Sequence, residues 1–248
     1  MKRLTNEQKI SIRKMALDGY SIRKIKDELN KSKTTIYYHT RKILGRKIKQ
    51  IKIENDLNAI GEFMGVFAGD GSFCKSKLYH YRIILFLSAK EENYMISLSN
   101  MLYSLFNKKP NVYFRKDHNY FEIIYNSKKL YNFIREFLVW DGKKVYSIRL
   151  KKINHKREFL IGFLRGLLDS DGYSWKDHRR TNFSTVSIEL AKQTSNTLSK
   201  FKINNKIITY KKENRKILYL VDVLGNNAVN LIRLIKPRNP SRIRKWCG

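Results

Sequence analysis

The chain has 248 residues with 52 Lys+Arg against 21 Asp+Glu, a net charge of 52 − 21 = +31, and it is 42% hydrophobic and 12% aromatic. That is enough apolar material for a packed core, so a disordered basic tail is excluded, and the surplus charge is of the kind that attracts polyanions. No stretch approaches the roughly 18 apolar residues of a membrane span, and Cys74 and Cys247 cannot build a disulfide framework; the expectation is a monomer in a cytosolic or organellar interior, with no membrane and no small-molecule substrate.

In residues 1–52 there are 16 basic and 4 acidic residues, 16 − 4 = +12. Thr5-Asn6-Glu7-Gln8 is a capping box opening a helix that stops at Gly19. Ser21 caps a second helix with Ile22, Ile25 and Leu29 on one face, and Asn30-Lys31 ends it. Ser32 can cap a third, through Lys33, Thr34, Thr35, Tyr37, Tyr38 and Arg41. Three short helices with a tight turn before the last predict a helix-turn-helix domain over 1–44, its third helix entering the major groove through those six residues. Residues 45–57 read as a basic linker.

A repeat follows. Gly61–Gly71 and Gly162–Gly172 align at an offset of 162 − 61 = 101; each is an apolar helix with an internal glycine, ending in Asp-Gly. A glycine inside a helix costs about 1 kcal/mol, so Gly65 and Gly166 in register predict two helices packed closely at those positions. Downstream, strand-like runs at 72–77 and 81–88 match those at 173–176 and 182–190. Helices at 93–106 and 195–201 follow. Strands at 111–116 and 120–125 match 206–211 and 218–223, and closing helices lie at 130–138 and 228–235. Each half, 58–150 and 151–248, reads αββαββα. The expected fold class is therefore α+β, two pseudo-symmetric halves plus a small all-α domain.

At these residues the chain resembles the LAGLIDADG homing endonucleases, in the two-motif, single-chain form. Leu164 to Gly172 follows the family motif well; Phe63 to Gly71 is looser, because Ala68 and Gly69 precede Asp70 and the motif's first acid is missing. Both copies keep the second acid, as Asp70 and Asp171. The resemblance implies a DNA-binding saddle whose motif helices deliver Asp70 and Asp171 to its centre. It implies that these two, with the carbonyls of Gly69 and Ser170, bind Mg²⁺ (Mn²⁺ may substitute) and that each serves one DNA strand.

Phosphodiester hydrolysis needs an attacking water and charge neutralisation, which hard divalent cations supply, and two adjacent carboxylates are costly without a cation. A lone Asp-Gly is only a turn signal; the repeated pair carries the reading. The resemblance also implies basic groups round the centre: Lys90 and Lys192, read as ending the second strand of each half, and Lys144 (or Lys143) after half one. The equivalent in half two is open among Lys236, Arg238 and Lys245. Asp169 reads as a packing or capping acid, Cys74 as a neutral strand residue, and the five histidines lack metal-ligand spacing. Lys75, Lys77, Arg82, Arg115, Lys176 and Lys211 on the strands, and Arg238, Arg242 and Arg244 in the basic C-terminus, are the expected DNA contacts.

The function expected is site-specific cleavage of double-stranded DNA at a long asymmetric site. The alternatives are a DNA-binding transcriptional regulator that has lost cleavage, or an RNA splicing maturase. No splice-junction signature flanks the repeat, so a free-standing or intron-encoded protein is expected rather than an intein.

Overall fold

The computed structural model describes residues 4–44, 51–75, 81–151, 154–175, 179–211, 213 and 216–243. The chain separates into two compact units, Met1–Gln50 and Ile51–Gly248.

The first unit holds α1 (Asn6–Leu17), α2 (Ile22–Leu29) and α3 (Lys33–Leu44). Both halves of the capping box form: Gln8 N–H donates to Thr5 Oγ1 and Thr5 N–H to Gln8 Oε1, each at 3.2 Å. Ser21 Oγ accepts from the Lys24 amide, and Asn30 adopts the left-handed conformation that ends α2. Three residues therefore separate α2 from α3. Ile12, Ala16, Ile25 and Ile36 form the core, one or two from each helix. Lys33, Thr34, Tyr37 and Tyr38 of α3 are exposed, with Thr35 and Arg41 partly so. Thr35 is held by the cap, its amide donating to Ser32 Oγ at 3.1 Å.

The second unit begins earlier than the linker reading expects. Ile51 is buried, the amides of Lys52 and Glu54 bond the carbonyls of Phe106 and Leu105, and Lys129 Nζ donates to Ile51 O. The apolar Ile51 and Ile53 find a place in the core that outweighs the basic residues around them. The first half then runs α4 (Leu57–Asp70), β1 (Gly71–Lys75), β2 (Tyr81–Ser88), a 3-10 turn at Ala89–Glu91, α5 (Glu92–Phe106), β3 (Asn111–Arg115), β4 (Tyr120–Asn126) and α6 (Lys128–Phe137). A short bridge follows: β5 (Leu138–Val139), α7 (Lys144–Ser147) and β6 (Arg149–Leu150). The second half runs α8 (Arg157–Asp171), β7 (Gly172–Trp175), β8 (Arg180–Thr185), α9 (Ile188–Lys200), β9 (Lys206–Tyr210), β10 (Leu218–Leu224) and α10 (Asn226–Ile235), and a last turn, α11 (Pro240–Ile243), closes it.

Each half forms one antiparallel four-stranded sheet, of order β1-β2-β4-β3 and β7-β8-β10-β9. The alternation that the sequence shows is realised: Ile83, Leu85 and Leu87 point into the core while Arg82, Ile84 and Phe86 face outward. Phe183 and Val221, paired across β8 and β10, do the same in half two.

One element departs from the sequence reading. The run at 182–190 is not one strand: β8 ends at Thr185, and α9 begins at Ile188. Thr185, Val186 and Ile188 favour a strand locally, but the Ser187 side chain accepts the Leu190 amide and starts a helix. Ser187 corresponds to Ser88, which caps the 3-10 turn, at an offset of 187 − 88 = 99. The match of Ala89-Lys90 with Ala191-Lys192 is therefore sequence coincidence and not structural equivalence.

Candidate active site

The site is built by two helices that cross almost backbone to backbone. A methyl group on Gly61 would stand 2.0 Å from the Phe159 carbonyl oxygen, and one on Gly162 2.0 Å from that of Asn58. At Gly65 it would meet Phe163 O at 2.3 Å, and at Gly166 Glu62 O at 2.2 Å. Only glycine permits this approach. The pairing is reciprocal, so the two helices run out together and end at Asp70 and Asp171. Asp171 lies close enough to act electrostatically on Asp70, and a methyl on Gly69 would meet Asp171 Oδ2 at 2.9 Å.

Burial, the neighbouring Asp171 and then Glu91 push the Asp70 carboxyl up to about 7, against the pull of Lys144 and Arg242. Burial also raises Asp171, opposed by the same two cations. At both groups desolvation outweighs the two cations.

Lys144 and Arg242 stand in matching places. Lys144 Nζ donates to the carbonyls of Phe67 (2.6 Å), Ala68 (2.8 Å) and Gly69 (3.3 Å), closing the end of α4. Burial lowers its ammonium to about 8 despite both aspartates. Arg242 donates from Nη2 to Ser170 O at 2.9 Å, closing the end of α8. A cavity of about 410 Å³ opens beside them, lined by Asp70, Ser88, Glu91, Tyr120, Ser170 and Arg242 among others.

Beneath the carboxylates lies a buried polar lattice. Glu62, fully buried in α4, pairs with Arg165 of α8 at 2.7 Å and with Arg238 at 3.1 Å. Arg165 also holds Asn58 Oδ1 and Ile235 O, each at 2.6 Å. Asp169 accepts the amides of Arg238 and Asn239, and burial pushes its carboxyl up to about 7 despite them. The Asn239 side chain, itself fully buried, donates to Glu91 Oε1 at 2.6 Å and Asp169 O at 3.0 Å. The segment after α10 therefore ties half one to half two and carries Arg242 to the centre.

Of the residues singled out in the sequence, Asp70, Asp171, Gly69, Ser170 and Lys144 come together here, and Gly65 and Gly166 meet in the crossing. Lys90 and Lys192 do not join them. Lys90 is exposed in the 3-10 turn, and Lys192 lies within α9, paired with Glu189 at 3.6 Å. The reason is the helix start at Ile188, which moves Lys192 off the strand end. Arg238, expected on phosphate, is spent on Glu62, and Arg115 is paired with Glu122 at 2.7 Å. Lys75, Arg82 and Lys211 are exposed at their strands. Lys77, Lys176, Arg244 and Lys245 lie outside the described residues. Arg242, Glu62, Arg165, Glu91 and Asn239 escaped the sequence reading in these roles. The one available signal was an acid and a base, Glu62 and Arg165, inside two otherwise apolar helices, which demands a buried partner.

The donors at the centre are all hard oxygens: two carboxylates and the Gly69 and Ser170 carbonyls. Among the described residues no group of three or more His, Cys, Asp or Glu side chains could hold a metal ion. Hard oxygen donors suit a cation that keeps several waters, as Mg²⁺ does.

Two αββαββα halves joined by glycine-faced helices that end in paired acids define the fold class. Residues 158–236 match the model of the LAGLIDADG-like domain family. The fold is that of the homing endonuclease I-DmoI, solved in complex with DNA and Mn: TM-score 0.56, 18% identity, over 73% of this chain and 97% of that one. The N-terminal LAGLIDADG domain of DUF199/WhiA also matches, with TM-score 0.50 and 17% identity over 76% of this chain and 84% of that one. Over 186 residues, 72% of the chain, it is 29% identical to the probable translation initiation factor IF-2 of Methanocaldococcus jannaschii; it spans 15% of that protein's length. No helix among the described residues is long and apolar enough to cross a membrane.

Proposed function

We propose that this chain is a divalent-metal-dependent endonuclease that cuts both strands of DNA at a long, asymmetric site. The observation that carries the reading is the convergence of Asp70 and Asp171, each at the end of its own half's glycine-faced helix, with Lys144 and Arg242 against them. A binding protein has no use for two adjacent carboxylates, Asp70 partly buried and Asp171 more exposed, whose ionisation desolvation suppresses.

Asp70 and Asp171, with Gly69 and Ser170 carbonyls, would hold Mg²⁺ or Mn²⁺, which supplies charge neutralisation and an activated water. Lys144, mostly protonated near pH 7, holds the end of α4 and presents positive charge to one side of the centre. Arg242 does the same for α8. The open faces of the two sheets, with Arg82 and Arg180 among their residues, lie along the duplex. Sequence asymmetry between the halves makes the target asymmetric. The three-helix unit extends the footprint through Lys33, Thr34, Tyr37 and Tyr38.

A second reading, DNA binding without cleavage, is favoured by one observation: Gly69 O and Ser170 O already receive hydrogen bonds from Lys144 and Arg242, so the helix ends are neutralised by the protein itself. Cleavage of a randomised duplex library in Mg²⁺ separates the two. The expected result is ends clustered on one sequence, nicking of opposite strands by Asp70→Asn and Asp171→Asn, and loss of cutting on the order of 10³-fold or more in the double variant. Specific binding with no cutting in Mg²⁺ or Mn²⁺ would overturn the nuclease and leave the binder.

A further inference from the structure

The open face of the second sheet carries a carboxylate where a surface for phosphates should avoid one. Asp222 is 1% exposed, yet its side chain shares that face with Arg180, opposite the core-facing Val221 and Val223. Arg180 donates from Nε to Asp222 Oδ1 at 2.6 Å. Its guanidinium lies 5.2 Å from the Trp175 ring, which stands directly across from it on β7. The hydroxyl of Tyr210, on the edge strand, is a further polar neighbour.

An acid placed here weakens a phosphate contact, because it cancels the charge that phosphate would feel. What it does well is orient. The bond through Nε leaves the terminal pair Nη1 and Nη2 as a planar fork, and the indole face fixes the plane of that fork. The first sheet shows the contrast. Arg115 commits Nη2, one tine of the same fork, to Glu122, and it sits on edge strand β3 with its side chain 48% exposed, against 30% for Arg180.

We propose that Arg180 is a specificity-determining residue that reads one guanine in the major groove beneath the second sheet, giving Nη1 and Nη2 to O6 and N7 while Asp222 and Trp175 hold the guanidinium in place. This rests on the double-stranded-DNA reading above.

Binding-site selection from a randomised duplex library, with no divalent metal added, tests it without any need for cleavage. The unaltered protein selects a site with one strongly preferred guanine. Asp222→Asn keeps the positive charge and lowers that single preference, and Arg180→Gln/Asp222→Asn, which leaves no unpaired charge in the sheet, lowers it by roughly 5- to 100-fold, with other positions unchanged. Thermal melting beside each selection reports whether the sheet remains folded; a melted double variant passes the decision to Asp222→Asn. A uniform loss across all positions, with the slope of log K against log salt falling by about one, would make Arg180 a phosphate contact and sink the inference. A protein that selects no sequence overturns the DNA reading itself; one that selects a sequence unchanged by either variant overturns only the role of Arg180.

Discussion

The two halves agree at one level and differ at the next. In the helix crossing they are interchangeable: a methyl on Gly61 would meet Phe159 O as one on Gly162 would meet Asn58 O, at the same 2.0 Å. One layer out, at the ends of the same helices, the chemistry diverges. A lysine from the bridge between the halves closes α4, and an arginine from the segment after α10 closes α8. Ser170 Oγ also donates to Gly166 O at 2.9 Å, an internal bond that Gly69 in the first half has no side chain to make. The pseudo-twofold is thus held strictly where backbones touch and loosely where only a positive charge is required. Steric fit allows one residue; electrostatics allows several.

The strict level is the easiest to break. Gly61→Ala and Gly162→Ala each drive a methyl into a backbone carbonyl that cannot turn aside. Each is expected to cost about 3 kcal/mol or more and to lower Tm by about 10 °C, or to prevent folding. Thermal melting of the pair compares them directly. Equal losses support equivalence at the crossing, and a loss in one alone would break it.

The loose level is sharpened by Asn239→Ala. It removes the donor to Glu91 and Asp169 and frees the segment that carries Arg242, with an expected cost of about 2 kcal/mol. Lys144→Met should cost less stability, since α7 keeps its other bonds, while still reducing cleavage. A stability loss for Lys144→Met as large as that for Asn239→Ala would show the two cations to be held alike.

The smallest effect is a difference in pH dependence. Asp70, raised to about 7, faces Glu91 as well as Asp171; Asp171 is raised mainly by burial. A carboxyl raised in the fold favours folding fully below its ordinary value near 4, and that contribution is lost as pH rises through 7. In metal-free protein, Asp70→Asn should therefore raise Tm by a few degrees at pH 8 and by less at pH 5, with a smaller gain for Asp171→Asn. A lower Tm at pH 8 would mean that the ionised carboxylate is well accommodated.

Local signals were legible wherever one segment decides its own structure. The Thr5 box, the Ser21 cap and the Asn30 stop announce their helices, and the glycine and Asp-Gly repeats announce the crossing and the paired acids. Misreadings arose where a distant contact decides. Thr185-Val186-Ser187-Ile188 has strand chemistry in isolation, and α9 wins by packing on its sheet. Ile51 looks like linker until the Phe106 carbonyl receives the next amide. Arg242, Arg238 and Asn239 lie in a basic C-terminus that reads as phosphate-binding, because the groups that claim them, Ser170, Glu62, Glu91 and Asp169, lie 69 to 176 positions away.

The bond from Asn239 to Glu91 joins residues 148 apart in the chain. Contacts of that span close late and slowly, because the chain between them must be ordered before the contact rewards it. During synthesis the first sheet and Asp70 are available long before Asn239 and Arg242 arrive. The assembled centre is therefore a product of the final stage of folding, and its completion time reports on the whole second unit.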